Sequence, residues 1–181
     1  RVGGFLPQDF DLDHYLEECK AQLLQEADYE REAEFLQRFN KISKSFPDIK
    51  VPDYIEDFST ASILCMSYAP GSTIDQPDLF SYSEREKIAK LMVEWTLKKI
   101  FDFNLLQSAQ NFANYRFDTE NSRLILLDFG ATVQIPDTMV SIYGNLLETL
   151  LKNDQQGFLA YLNSYHLLPK NVPENLQQLI D

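Results

Sequence analysis

Residues 84–103 spell a helix with little polar surface. Lys87, Lys90, Glu94 and Lys98 make one polar stripe, while Ile88, Leu91, Met92, Trp95, Ile100 and Phe101 fill most of the remaining circumference. A helix of that kind is a core helix, and its Trp and Phe side chains serve packing rather than a cofactor. Ser83 is placed to cap it, with Glu86 three residues on to complete a capping box.

The rest of the chain has to supply what surrounds that helix. Its 181 residues are 44% hydrophobic and 13% aromatic, enough for one globular domain or at most two. Residues 9–44 read as helix over most of their length, with Asp9, Asp11 and Asp13 near the amino end and an apolar stripe of Leu12, Leu16, Cys19 and Leu23. Continuing that stripe puts Glu26 on the same face, followed by Tyr29 and Ala33. A carboxylate there is costly without a cationic or hydrogen-bonding partner, and spacing alone leaves a functional and a packing role equally open for it. The neighbouring Glu30, Glu32 and Glu34 read as a solvated acidic surface. Pro47 and Pro52 end the helix. Residues 51–57 and 61–68 then read as paired strands joined by a turn over 58–60, and Ala69-Pro70-Gly71-Ser72 leads out of the sheet. A short helix is expected over 76–80, an irregular polar stretch over 105–117, a strand over 123–127, and helices over 137–153, 155–165 and 173–180.

Composition removes several classes of function. Lys and Arg number 16 against 28 Asp and Glu, a net charge of −12, so no basic groove exists and no nucleic-acid partner is expected. The longest apolar run is interrupted by Lys98, Lys99 and Asp102 and falls short of the roughly 18 residues of a membrane span, so no transmembrane segment is expected. Cys19 and Cys65 are far apart and fit neither a zinc pattern nor a disulfide framework, which leaves a reduced intracellular setting as the expectation. His14 and His166 lie in unrelated contexts, and neither is expected to bind metal or catalyse. The chain begins at Arg1 with no signal-peptide pattern after it, so a processed chain or part of a longer one is expected.

The chemistry is concentrated at the end of the strand over 123–127. Leu124-Ile125-Leu126-Leu127 runs directly into Asp128-Phe129-Gly130. In the kinase pattern such an Asp, at the end of an apolar strand, meets the metal ion that bridges nucleotide phosphates, and an Asn in the preceding loop holds a second ion. Asn114 follows the 84–103 helix and precedes Asp128 by fourteen residues, a spacing that suits a short hairpin. The same pattern needs a glutamate on a long helix to pair with a strand lysine, and Glu26 is the isolated carboxylate that fits. The strand over 61–68, ending in a turn, matches the hinge that presents backbone groups to adenine.

These segments also resemble a known family. Glu26-Ala27-Asp28-Tyr29-Glu30-Arg31-Glu32-Ala33 is similar to the ExD segment of the UbiB/AarF atypical kinase-like proteins. Asn111-Phe112-Ala113-Asn114-Tyr115-Arg116-Phe117 and Leu126-Leu127-Asp128-Phe129-Gly130-Ala131 resemble its metal-loop and DFG segments, and Phe5-Leu6-Pro7 and the hinge region Met66-Ser67-Tyr68 extend the likeness over nearly the whole chain. The resemblance implies an α+β, protein-kinase-like fold, mainly the helical C-lobe plus part of the N-lobe and incomplete at the amino terminus. In that reading 1–181 is one partial kinase-like domain, with about 1–68 on the N-lobe and hinge side and 69–181 as the C-lobe. It further implies ATP or ADP with Mg as cofactors, nucleotide contacts from Glu26, Asp28, Met66 and Tyr68, and metal binding by Asn114 and Asp128. A role in ubiquinone biosynthesis also follows from it, with an isoprenoid lipid or membrane surface as partner and a location that is cytoplasmic or peripheral to the inner membrane.

Two departures qualify the resemblance. The family's KxGQ segment, its Ala-rich nucleotide loop and the strand lysine should precede Glu26, and none is among these residues, so the chain resembles the carboxyl-terminal two-thirds of the domain. The second is the catalytic base, which in H-R-D-x-x-x-x-N stands five residues before the metal Asn. That position here is Ala109, which can neither accept a proton nor orient a hydroxyl. Nothing after Asp128 resembles the A-P-E segment of a peptide-substrate platform, so a small or lipid-like ligand is easier to accommodate. The expectation is thus a UbiB-like kinase or ATPase domain impaired by Ala109. The alternatives are a non-catalytic, pseudokinase-type scaffold for lipid or protein, and a plain acidic helical domain with a fortuitous Asp-Phe-Gly. The last is excluded by a structure in which Asn114 and Asp128 converge on one cleft.

Overall fold

The computed structural model describes residues 15–17, 20, 24, 27–107, 111–165 and 167. Within them the chain separates into two compact units, one of residues 1–94 and 107–132, the other of residues 95–106 and 133–181. The lobe boundary expected near 68 is a different division and falls inside the first unit.

In the first unit helix α1 covers Tyr29–Ser43. Residues 15–17, 20 and 24 are helical, as the periodicity predicts, but the helix over 9–44 is not continuous. Asp28 stands at non-helical angles and its side chain accepts from the backbone N–H of Arg31 at 3.0 Å. An Asp side chain that captures a nearby N–H offers the backbone an alternative to the helix ladder, and here it starts a new helix. Ala33, which the expected stripe includes, forms the buried face of α1 together with Leu36, Phe39 and Ser43. Leu16, expected on a buried stripe, is 54% exposed.

Four strands make the sheet of this unit: β1 (Ile49–Lys50), β2 (Ser72–Thr73), β4 (Tyr115–Asp118) and β5 (Arg123–Leu126), in the order β1-β5-β4-β2. β5 lies in the interior, parallel to β1 and antiparallel to β4, with Tyr115 opposite Leu126 and Asp118 opposite Arg123. Its Leu124, Ile125 and Leu126 are buried, as a fully enclosed apolar run requires. The hairpin turn is held by Asp118, which accepts from the backbone N–H and side-chain amide of Asn121. The pair of strands expected over 51–57 and 61–68 forms only in part. Pro52 has no N–H to continue the ladder that Ile49 and Lys50 begin, and beyond it the segment makes isolated bridges, Tyr54 to Met66 and Thr60 to Ile63, around a 3₁₀ turn at Glu56–Phe58. Gly71 adopts a φ of +86°, and a Cβ there would run into the Phe117 carbonyl, so only glycine lets β2 lie against β4.

Helix α2 covers Tyr82–Phe103, and a 3₁₀ turn precedes it at Pro77–Leu79. Its cap stands two residues earlier than the spacing suggests. Ser81 donates its backbone N–H to the Glu84 carboxylate at 2.8 Å and accepts from the Glu84 N–H, the reciprocal capping box expected of Ser83 and Glu86. Ile88 and Leu91 on its first half and Trp95 on its second half are buried. Lys99, on the apolar side of that second half, is 1% exposed, and burial lowers its pKa to about 8. A two-stranded sheet pairs β3 (Leu105–Gln107) with β6 (Thr132–Gln134). The second unit continues with α3 (Asp137–Leu151) and α4 (Gln155–Ser164), close to the helices expected there. Among the described residues no helix is long and apolar enough to cross a membrane.

Candidate functional site

β5 ends where the site begins. With Tyr115 opposite Leu126, the β4–β5 register carries Asn114 and Asp128 to the same end of the hairpin, and the Leu127 N–H donates to the Asn114 carbonyl at 3.0 Å. The side chains meet as well: Asn114 Nδ2 donates to Asp128 Oδ2 at 2.5 Å. Asn114 closes a 3₁₀ turn at Phe112–Asn114 whose cap is Asn111, its side chain accepting from Ala113 N–H. On the other side Asp128 Oδ1 accepts from the Gly130 N–H at 2.9 Å, which folds the Asp-Phe-Gly segment back on itself. Gln107 Nε2 donates to the Asp128 carbonyl at 2.8 Å, and Tyr115 OH reaches Gln107 Oε1 at 3.4 Å. Phe129 is fully buried and packs on Phe39 of α1 with ring centroids 5.2 Å apart. The Asp is thereby fixed between a buried ring and the carboxamides of Gln107 and Asn114.

The turn is also held from α1, by two adjacent residues. Glu32 Oε1 accepts from the Phe129 N–H at 3.3 Å. Arg31 Nη1 donates to the Gly130 carbonyl at 2.7 Å, and Nη2 donates to the Thr132 carbonyl. Partial burial pushes the Glu32 carboxyl above its ordinary range, the Phe129 N–H opposes this, and the negative charge of Asp128 adds to the rise. Burial likewise raises the Tyr115 phenol, with a further push from Asp128. The charge pattern predicts a solvated surface for Glu32 together with Glu30 and Glu34. Those two are exposed, whereas Glu32 faces the Asp-Phe-Gly turn. Glu32 stands one turn before the buried Leu36 and so shares its side of α1. The sequence carries that signal, since Glu32, Leu36 and Phe39 stand at helical spacing.

These elements open onto a cleft of about 820 Å³. Tyr29 and Glu32 line it from α1, Asn111 and Asn114 from the hairpin entrance, and Asp128, Gly130 and Ala131 from the turn. Ser62, Ile63 and Leu64 close the remaining side. Asn114 and Asp128 therefore converge on one cleft, and this excludes a fortuitous Asp-Phe-Gly. Glu26 and Ala109 lie outside the described residues. Asp28 uses its carboxylate as the α1 cap rather than in the cleft. Met66 and Tyr68, expected at the nucleotide, do not line it, and Tyr68 is 85% exposed. Residues 53–55 pair with 65–67 through Ile55 N–H to Cys65 O and Ser67 N–H to Asp53 O, and the cleft is lined by Ser62, Ile63 and Leu64 from the loop between them.

The residues suit a hard divalent cation. Asn114 and Asp128 offer amide and carboxylate oxygens, the donor type such ions take, and magnesium completes its shell with waters and phosphate oxygens. Among the described residues no group of three or more His, Cys, Asp or Glu could hold a metal by itself. An ion here would depend on a phosphate ligand for part of its coordination.

Comparison with known proteins agrees with the geometry. The ABC1 atypical kinase-like domain matches residues 1–162. The mitochondrial atypical kinase coq-8 of Caenorhabditis elegans is 30% identical over 164 residues, 88% of this chain and 22% of the relative. The mitochondrial atypical kinase COQ8B of Rattus norvegicus is 32% identical over 127 residues, 70% of this chain and 24% of its own length, and COQ8 of Saccharomyces cerevisiae is 28% identical over 166 residues, 92% and 33%. The chain thus spans between about a fifth and a third of the length of these relatives. In three dimensions it is similar to Rv3197 of Mycobacterium tuberculosis, solved as a complex with erythromycin, with a TM-score of 0.72 at 18% identity over 88% of this chain and 40% of the other. With a mixed helix-and-sheet fold and a domain match over most of its length, this chain belongs to the ABC1 atypical kinase-like family of UbiB and COQ8 proteins.

Proposed function

We propose that the cleft binds ATP or ADP with magnesium, and that the chain forms the metal-binding part of an atypical kinase or ATPase weakened at its catalytic base. The observation that carries this reading is the 2.5 Å contact between Asn114 and Asp128 at the mouth of a cleft large enough for a nucleotide. Asn114 and Asp128 would hold the ion, which neutralises phosphate charge when bound. Among the described residues Glu32 is a helix carboxylate that reaches the turn, which suits it to pair with a phosphate-fixing lysine, the role expected of Glu26. Adenine would lie against Ser62, Ile63 and Leu64 rather than on Met66 and Tyr68. Ala109 at the base position favours slow hydrolysis or a nucleotide-driven conformational change over efficient phosphoryl transfer. The acceptor, if one is used, is a small or lipid-like molecule. Membership of the COQ8/ABC1 family supports a setting in ubiquinone biosynthesis, the relatives are named mitochondrial, and an isoprenoid lipid or membrane surface is the partner we propose.

Ala109 also favours a second reading, a non-catalytic scaffold in which nucleotide plays no part. Thermal denaturation of the full chain separates the two. The first requires that ADP or ATP raise the melting temperature only when magnesium is present, and the second requires no shift with or without the ion.

A further inference from the structure

The strongest unassigned feature is the side chain of Arg31. It leaves α1 one residue before Glu32 and donates to two backbone carbonyls beyond the Asp-Phe-Gly turn, Gly130 at 2.7 Å and Thr132. Its guanidinium also lies over the Phe35 ring, 5.1 Å from the centroid. A planar fork stacked on an aromatic ring loses little freedom when it binds two acceptors, and hydrogen bonds from a charged donor are the strong ones. The bonds span 99 and 101 residues of sequence, so they are built by the tertiary fold and not by local geometry.

We propose that Arg31 is a positioning residue for the metal-binding turn, and that it sets the affinity of the site for the metal–nucleotide complex without touching either. The proposal rests on the nucleotide reading above. Gly130 is the residue whose N–H holds Asp128 Oδ1, so a clamp on its carbonyl fixes the peptide next to the one that orients the carboxylate. With Glu32 holding the Phe129 N–H, one turn of α1 grips both sides of the segment. Loss of the clamp leaves Asp128 in place but lets its carboxylate wander, which weakens a ligand set demanding near-octahedral geometry more than it weakens contacts to the nucleoside.

The test compares ADP affinity of the full chain with magnesium and with a chelator, in wild type, Arg31→Lys, Phe35→Leu and Asp128→Asn. Lysine keeps the charge but cannot bond two carbonyls as a fork. Arg31→Lys should weaken magnesium-dependent ADP binding about tenfold, the loss expected of one charge-assisted hydrogen bond, while binding in chelator changes less than about twofold. Phe35→Leu, which removes the ring and leaves both hydrogen bonds, should show a smaller loss in the same direction and keeps the question open to measurement if Arg31→Lys does not fold. Equal weakening with and without magnesium, together with a lower melting temperature, would make Arg31 a purely structural residue and overturn the proposal. If Asp128→Asn abolishes the magnesium dependence and both Arg31→Lys and Phe35→Leu retain it in full, the proposal fails and the nucleotide reading stands. If wild type shows no magnesium dependence, the nucleotide reading falls and takes the proposal with it.

Discussion

The carboxylate of Glu32 accepts a hydrogen bond from the backbone N–H of Phe129 at 3.3 Å, across 97 residues of sequence. That bond joins α1 to the turn carrying Asp128, and it places two carboxylates on one cleft. The arrangement has consequences for pH, for metal binding and for catalysis.

Glu32 is predicted to cost stability at neutral pH. Burial and the charge of Asp128 raise its pKa in the folded chain, so the folded state holds this proton more tightly than the unfolded state does. Stability therefore falls as pH rises from the ordinary value of 4.5 through the raised one, and the loss is complete above it. Glu32→Gln, whose amide oxygen can still accept from Phe129, should raise stability at pH 7, by a small amount because solvent still reaches the carboxylate. The gain should vanish below the ordinary carboxylate range. Chemical denaturation at both pH values checks this, and an equal gain at both would rule out titration as the cause.

Asp128→Asn should abolish magnesium-dependent nucleotide binding while the fold persists. The substituted amide oxygen can still accept from Asn114 Nδ2, so the hairpin end stays closed, but the negative charge that attracts the ion is gone. Isothermal titration with ADP, with and without magnesium, reads the effect. Unaltered affinity in this variant would remove Asp128 from the metal site.

Ala109→Asp should raise ATP turnover by at least about tenfold with little change in nucleotide affinity. A positioned base contributes typically ~10²–10⁴-fold, and part of that is lost if the restored side chain is imperfectly placed. Metal ions at Asn114 and Asp128 would still supply the electrostatic share in wild type. Steady-state phosphate release is the measurement. Equal turnover in the two proteins would mean that another residue serves as base.

Lys99 should give the chain a stability that rises between about pH 8 and 10.5. Burial lowers its pKa, so the folded state prefers the neutral amine, and deprotonation over that window removes a penalty that is complete below it. The rise is at most about 3 kcal/mol, because the folded and unfolded pKa values bound the window over which protons are released. Lys99→Met should flatten the alkaline slope whatever it does to stability at pH 7. An unchanged slope in denaturation curves taken across the window would assign the effect to other groups.

Much of this architecture is legible from residues alone. The core helix, β5 and the convergence of Asn114 with Asp128 follow from patterns a few residues long, namely an apolar circumference, a buried run and a fourteen-residue spacing. β3 and β4, by contrast, lie where an irregular polar stretch over 105–117 is expected, because their three and four residues are too short to show a period. The family resemblance rests on the same segments, because the motifs that carry it are local, and the domain match over residues 1–162 agrees with it. Helix phase is less legible. The spacing singles out Glu26, which lies outside the described residues, and takes Glu32 for solvated surface, whereas Asp28 caps a new helix from which Glu32 reaches the Phe129 N–H. The cap of α2 falls on Ser81 instead of Ser83 for a similar reason, since either serine offers the same hydroxyl and the chain before it decides which one is used.

The sequence by itself determined that an amide and a carboxylate meet at the same end of a hairpin, because residue identity and the fourteen-residue spacing set them there. Only the tertiary structure decided what holds them in place. The grip of Arg31 and Glu32 on the turn joins residues about a hundred positions apart, and Ser62, Ile63 and Leu64 reach the cleft only when the loop between residues 55 and 65 folds against it. Such contacts have no period and no local spacing. They arise only when α1 packs its Leu36 and Phe39 face into the core and sets Phe39 against Phe129.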